Sequence, residues 1–307
     1  MKDFTEFILK KSIKNYENIE DQTVRTKYGI LEAKVSIIGN IVLFVFKLVV
    51  GLLLNSISLI ADSFHTLSDV ITSVVVWIGF RTSNQPADEK HPYGHGRVET
   101  IATLIIGVLL IVIGFDFLKL SINRLIHTEI VKGSWLVAVL LVISGLAKEW
   151  MAIFSIDLGK RIDSSALIAD AWHHRSDAIA SFLVAVAIAA SVFGYYKVDA
   201  LFGIVVSLLI VYVGFTLSKS SISFLIGEAP SEDLIDKIKK YASSIPGVNS
   251  VHDVQVHNYG SRLETSLHIE VDKSYKLNTG HKVADLVEKK LFKELKISSV
   301  VHVDPTD

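Results

Sequence analysis

Cysteine is absent from the 307 residues. That excludes disulfides and every thiolate metal site. Met1 and Met151 are the only thioethers, so the soft sulfur that a Cu(I) carrier needs is missing too. Charge of one sign is also missing: the net charge is -1, which gives no global pull toward nucleic acid or anionic lipid. There is no G-x-x-x-x-G-K-[ST] phosphate loop, so ATP is not expected to drive any step. No H-E-x-x-H occurs, and a hydrolytic metalloenzyme needs such a base beside an open metal position. The chain is therefore not expected to be an enzyme. The first thirty residues carry many charges, among them Lys2, Asp3, Glu6, Lys10 and Lys11. They lack a central apolar run and do not read as a cleaved signal peptide.

What is abundant is apolar surface. Half of the residues are hydrophobic and the mean hydropathy is +0.45, which points to a lipid bilayer as the partner. Six apolar segments of spanning length run at 33–54, 57–80, 99–123, 134–156, 165–192 and 199–225. Lys47 and Asn40 lie too deep in the first to reach the headgroups and are expected to face a bundle interior; Lys148 and Glu149 come late in the fourth. Residues 1–30, with Phe4, Phe7, Ile8 and Ile13 at helical spacing, fit an amphipathic helix on the membrane surface or against a partner, or a tail. Basic residues set the orientation. Arg81, Lys90 and Arg97 follow the second span, and Lys160 and Arg161 the fourth. The alternate loops hold only Arg124, Lys132 and Lys197. Both termini are expected in the cytoplasm of a multi-pass inner-membrane protein.

The expected fold is thus an all-α six-helix transmembrane domain (31–226) followed by a small α+β domain (227–307). Gly227, Glu228, Ala229 and Pro230 mark the break. A helix from Ser231 to Ile245 precedes alternating stretches at Val248 to His257 and Leu263 to Val271, then a helix at 278–295 and a strand at 298–303. The order αββαβ suggests a ferredoxin-like, metallochaperone-like sheet with helices on one face.

Histidines and carboxylates carry the remaining chemistry. SLIADSFHTLSDVITS (58–73) and ALIADAWHHRSDAIAS (166–181) match at nine of sixteen positions, at a constant offset of 108. Residues four apart share a helix face, so His65 with Asp69 and His173 with Asp177 each present an imidazole and a carboxylate. Ionisable groups at that depth are costly and mark function. Two such pairs on facing antiparallel helices supply the four ligands that tetrahedral Zn²⁺ accepts. Asp62 and Asp170, three residues earlier, either orient the imidazoles or cap and pack the helix. His174 lies on another part of the helix and is left out. Asp88, His91 and His95 sit close together in a turn containing Pro92, Gly94 and Gly96; they hold one cation or bond locally. Beyond 250 the chain has His252, His257, His268, His281 and His302, with Asp304 beside the last.

Taken together, the six spans, the paired motifs, the phrase QPADEKHPYGHGRVE at 85–99 and the ending VVHVDP resemble the cation diffusion facilitator family of divalent-metal/proton antiporters. The resemblance covers nearly the whole chain. It implies a homodimeric cation efflux transporter exchanging metal for protons, with His65, Asp69, His173 and Asp177 as the transport site. It implies a second metal site at Asp88, His91 and His95. It also implies a cluster of His252, His268, His281, His302 and Asp304 binding zinc between two cytoplasmic domains; His257 lies on the opposite strand parity from His252 and has no counterpart there. Arg97 matches a basic residue that pairs with a carboxylate near the end of the last span, for which Glu228 is the nearest candidate. Two imidazoles with two carboxylates suit Zn²⁺, Fe²⁺ or Co²⁺ better than Mn²⁺; Zn²⁺ is the expected substrate, with Fe²⁺, Co²⁺, Cd²⁺ or Mn²⁺ as alternatives. A metal-responsive membrane sensor is the other class left open.

Overall fold

A computed structural model describes residues 2–53, 57–127, 135–192 and 198–306. Lys132 and Lys197, which entered the orientation argument, lie outside them. The chain forms two compact units, one of residues 1–84 and 98–222, the other of residues 85–97 and 223–307.

The first unit is helical: α1 (Lys2–Ser12), α2 (Gln22–Leu53), α3 (Ile57–Ser68), α4 (Val70–Ser83), α5 (Val98–His127), α6 (Trp135–Arg161), α7 (Ser165–Val192) and α8 (Val198–Ile226), the last four residues of which fall in the second unit. Among the described residues five helical stretches are long and apolar enough to cross a membrane. α7 has the length of a sixth, with its apolar run beginning after Asp177.

α2 shows why the environment is lipid. Its exposed side carries Ile38, Val42, Val45, Val49 and Leu52, whereas Glu32, Ser36, Asn40 and Lys47 are buried. That is a soluble helix turned inside out, the arrangement expected where the solvent is hydrocarbon and polar groups must find partners within the bundle. α5 and α8 approach through small residues: a Cβ on Gly107 would lie 3.1 Å from the Gly214 carbonyl oxygen, and one on Gly214 2.7 Å from that of Gly107. Without a hydrophobic drive between helices in lipid, such close backbone packing supplies the attraction. Near the start of α2, Arg25 grips both oxygens of Glu99 at 2.5 and 2.9 Å, and Ser164 donates to the same carboxylate at 2.6 Å, tying α2, α5 and the α6–α7 turn together.

Two local details stand out. The second span has an irregularity at Asp69, between α3 and α4: the residue keeps helical dihedrals, and its carbonyl accepts from the Thr72 hydroxyl at 2.8 Å. A threonine bonding back to the chain in this way competes with the helical amide. α1 buries Leu9, with Ile13 just beyond it, in the core that contains Leu158 and Ile162, while Phe7 stays exposed. Leu9 and Ile13 of its apolar side are thus covered by the same chain.

The second unit contains α9 (Glu232–Ser243), β1 (Ser250–Asn258), β2 (Leu263–Val271), α10 (Leu277–Leu295) and β3 (Ser298–Pro305), the αββαβ order read from the sequence. The sheet order is β1-β2-β3, with β1 antiparallel and β3 parallel to β2. Ile238, Val283, Val287 and Leu291 of the helices pack with Leu267, Ile269 and Val271, so both helices cover one face. The other face is open. Between His252 and Gln255 the pairing slips by one residue, with Asp253 at φ +48°. This bulge reverses the parity of the rest of β1. His257, opposite Glu264, therefore lies on the same face as His252, opposite His268. The expectation from strict alternation is corrected, although four residues of β2 separate the two, roughly 13 Å of strand.

Candidate metal centre

α7 presents its polar residues on two adjacent faces. At 100° per residue, His173 and Asp177 share one stripe, and Asp170 and His174 share the next. The first stripe meets the Asp69 irregularity. Donor atoms of His65, Asp69 and Asp177 all lie within 4.8 Å of one another. His173 Nε2 is 3.7 Å from Asp69 Oδ1 and 3.7 Å from Asp177 Oδ2. Asp69 and His173 are buried, and His65 is the exposed member of the four. One imidazole and one carboxylate come from each copy of the repeat.

A third helix enters the same space. Lys148 of α6, 2 % exposed, donates to Asp69 Oδ2 at 2.6 Å and to Asp177 Oδ2 at 2.8 Å. An ammonium thus bridges two carboxylates, one from each copy of the repeat. Lys148 was visible in the sequence only as a charge late in a span, because no local pattern links it to residues 79 and 29 positions away.

The repeated aspartates take different partners. Asp62 pairs with Lys47 at 2.8 Å, and Lys47 also donates to Thr66 Oγ1 at 2.9 Å. Asp170 lies beside His174, with Nε2 3.2 Å from Oδ2, and not beside His173. Neither aspartate orients the imidazole three residues on. Glu32, at the margin of the first span, joins Asp170 and His174 in a fully buried group. The sequence reading missed Glu32 and set His174 aside; the signal for both was burial, which alternation along one helix does not reveal.

In the second unit the loop 85–97 folds around Asp88. Its Oδ1 accepts the His91 amide at 2.6 Å and the Lys90 amide at 2.9 Å. The His91 N–H, with that of Lys90, holds the Asp88 carboxyl below the usual carboxylate range. His91 Nδ1 and His95 Nε2 lie 3.3 and 3.5 Å from the same carboxylate, so the three donors gather at one point. Tyr93 stacks on Tyr259 at 4.4 Å. Arg97 covers the Tyr259 ring at 4.6 Å and donates to the Asn258 carbonyl at 3.1 Å. Among the described residues these, not Glu228, are the partners of Arg97.

On the open face of the sheet, His252, His268 and His302 stand directly opposite one another on three strands. Asp304 reaches all three, at 3.5 Å from His252, 2.9 Å from His268 and 3.3 Å from His302. The hydrogen bond from His268 holds the Asp304 carboxyl below its ordinary value. His281 is not brought to this row. It sits on α10, which packs against the opposite face, 3.7 Å from Asp285.

Comparison with known proteins gives a consistent answer. Residues 33–226 match the family description "Cation efflux transmembrane domain", and residues 230–306 match "Cation efflux protein, cytoplasmic domain". An uncharacterized transporter of Methanocaldococcus jannaschii is 37% identical over 273 residues, 89% of this chain and 96% of that protein. Magnetosome protein MamB of Paramagnetospirillum magneticum is 33% identical, over 84% of this chain and 87% of its own length. Manganese efflux system protein MneS of Bacillus subtilis is 31% identical, over 92% and 97%. A solved fragment described as MamM-CTD is similar over 24% of this chain and 98% of its own, at 19% identity and a TM-score of 0.24.

Proposed function

We propose a function from one premise: the chain belongs to the cation diffusion facilitator family, multi-pass membrane proteins that move divalent metal cations out across a membrane. On this reading His65, Asp69, His173 and Asp177 hold the cation between the second and fifth spans. The supporting observation is their convergence: three of the four within 4.8 Å of one another and His173 3.7 Å from both carboxylates. Two nitrogens and two oxygens favour Zn²⁺, then Fe²⁺, Co²⁺ or Cd²⁺. Manganese efflux, named for one relative, is the reading with the weakest support from the donor set.

The Lys148 ammonium bridges Asp69 and Asp177, so an entering cation displaces a charge the protein itself supplies. Loading and unloading then exchange one cation for another in a site that is never bare, which limits the cost of buried carboxylates. Protons moving the other way complete an antiport, since imidazole must be neutral to bind metal. Rocking of helix groups around the site gives alternating access. The protein works as a homodimer in the inner membrane with both termini cytoplasmic. The cytoplasmic-domain match supports the dimer, as does exposed Val300 on the same sheet face as the histidine row. Asp88 with His91 and His95, and Asp304 with His252, His268 and His302, bind metal outside the membrane.

Reconstituted vesicles test the reading. A pH gradient should drive zinc flux, and Asp69→Ala or Asp177→Ala should abolish it; flux that survives both substitutions rejects the site.

A further inference from the structure

We propose that Glu32, Asp170 and His174 form a second divalent-cation site inside the helical unit, separate from the four transport ligands. All three are fully buried, and one donor atom from each lies within 4.8 Å of the others. The site draws on α2 and α7, with α6 contributing Ser155. Glu32 Oε1 accepts from Ser36 Oγ at 3.0 Å and closely from Ser155 Oγ. His174 Nε2 lies 3.0 Å from Ser36 Oγ and 3.2 Å from Asp170 Oδ2. The two serines thus hold one oxygen of Glu32, and Ser36 also meets the imidazole edge at Nε2.

The rest is poorly satisfied: Glu32 Oε2, Asp170 Oδ1 and His174 Nδ1 are buried without a hydrogen-bond partner, and Asp170 Oδ2 has only the His174 ring at 3.2 Å. Bare buried oxygens are expensive wherever they occur and more so in a membrane. Nor do the neighbouring bases neutralise them. Lys47 holds Asp62, Lys148 holds Asp69 and Asp177, Arg25 holds Glu99 and Arg175 holds Glu149. A single shared proton would join one donor to one acceptor and leave the other oxygens unsatisfied. One divalent cation bonds both carboxylates and a ring nitrogen together, with Ser36 and Ser155 oxygens at hand. Ser36 Oγ, having given its hydrogen to Glu32 Oε1, accepts from His174 Nε2–H in the metal-free arrangement; a cation bound at Nε2 replaces that hydrogen, with the ring hydrogen then on Nδ1. Two carboxylates and one imidazole suit Zn²⁺, Fe²⁺ or Co²⁺.

Position gives the site its meaning. Asp170 and His174 precede His173 and Asp177 by three residues, about 4.5 Å along the axis of α7. The second site therefore lies on the side of the transport site nearer the start of α7, and serves as a staging position for a cation on its way there. Because it shares no ligand with the transport site, the two readings can fail separately.

The test counts metal. The full-length protein, purified in detergent and equilibrated with Zn²⁺, should show an anomalous-scattering peak about 2.0–2.2 Å from Glu32, Asp170 and His174 donors. That measurement needs no variant. Glu32→Gln and Asp170→Asn should each remove one zinc per protomer, and Asp177→Asn should remove a different one, so that Glu32→Gln with Asp177→Asn removes two. A missing peak in the parent protein, or a zinc count unchanged by Glu32→Gln and Asp170→Asn, overturns the proposal while leaving the transport site standing.

Discussion

Lys148 sets the terms at the scale of single residues. It is 2 % exposed and bonded to two carboxylates on different helices. Breaking such a buried pair costs about 3–5 kcal/mol. Lys148→Met should therefore destabilise the metal-free protein and remove the cation's built-in competitor. The expected result is at least about tenfold tighter zinc binding, since about 1.4 kcal/mol is tenfold, together with slower release into the vesicle. Binding that is unchanged or weaker would show that the ammonium does not compete. Asp304 gives a second test. His268 holds its carboxyl low, so the folded form releases its proton more readily than the unfolded chain does. The stability this contributes is present above the unfolded value of about 3.9 and is lost as pH falls through the folded one. Asp304→Asn should melt earlier than the parent at pH 6 in fluorimetry, and that difference should shrink as the pH is taken progressively below the unfolded value. Little of this was legible in the sequence. The repeat marked His65, Asp69, His173 and Asp177 because paired spacing survives in one dimension. Glu32 and Lys148 belong to no local pattern and are recognised only once helices far apart in the chain are packed.

Elements were easier to read than their irregularities. Helix lengths, the αββαβ order and the break after Leu225 follow from runs of apolar residues and from Pro and Gly. The irregularity at Asp69 does not, because Thr72 is an ordinary helix residue until its hydroxyl is seen on the Asp69 carbonyl. The β1 bulge is similar: Asp253 at φ +48° shifts every later side chain to the other face, and strict alternation misassigned His257. Glycine carries another such detail. Gly260 has φ +87°, and a Cβ there would come within 2.6 Å of the Gly96 backbone. Gly260→Val should force the 85–97 loop off the β1–β2 hairpin and unstack Tyr93 from Tyr259. Hydrogen exchange at 91–97 should then rise while that of α10 stays constant; protection of the loop at the parent level would count against this clamp.

For the whole molecule the chemistry predicts selectivity. With a pH gradient held constant, vesicle flux should follow Zn²⁺, Fe²⁺ and Co²⁺ ahead of Mn²⁺, because two of the four proposed donors are imidazoles. His65→Asp, which exchanges a nitrogen donor for oxygen, should narrow the zinc-to-manganese ratio when both ions compete. A ratio that does not move would remove His65 from the selective step. The polar line of Glu32, Ser36, Asn40 and Lys47 along α2 makes the helical unit depend on its lipid surroundings as much as on its core.

The second unit is stitched from two stretches of chain, 85–97 and 223–307, and synthesis proceeds in one direction. The loop carrying Asp88, His91 and His95 leaves the ribosome about 160 residues before Tyr259 and Gly260 exist. At roughly 5–20 residues per second that is on the order of 10 s. Throughout that interval the loop has no hairpin to close on, so its clamp forms only after all the spans have been made. A truncated chain that stops before β1 would carry the transport motifs and lack a finished loop. Assembly of the 85–97 clamp is thus a late signature of a complete polypeptide.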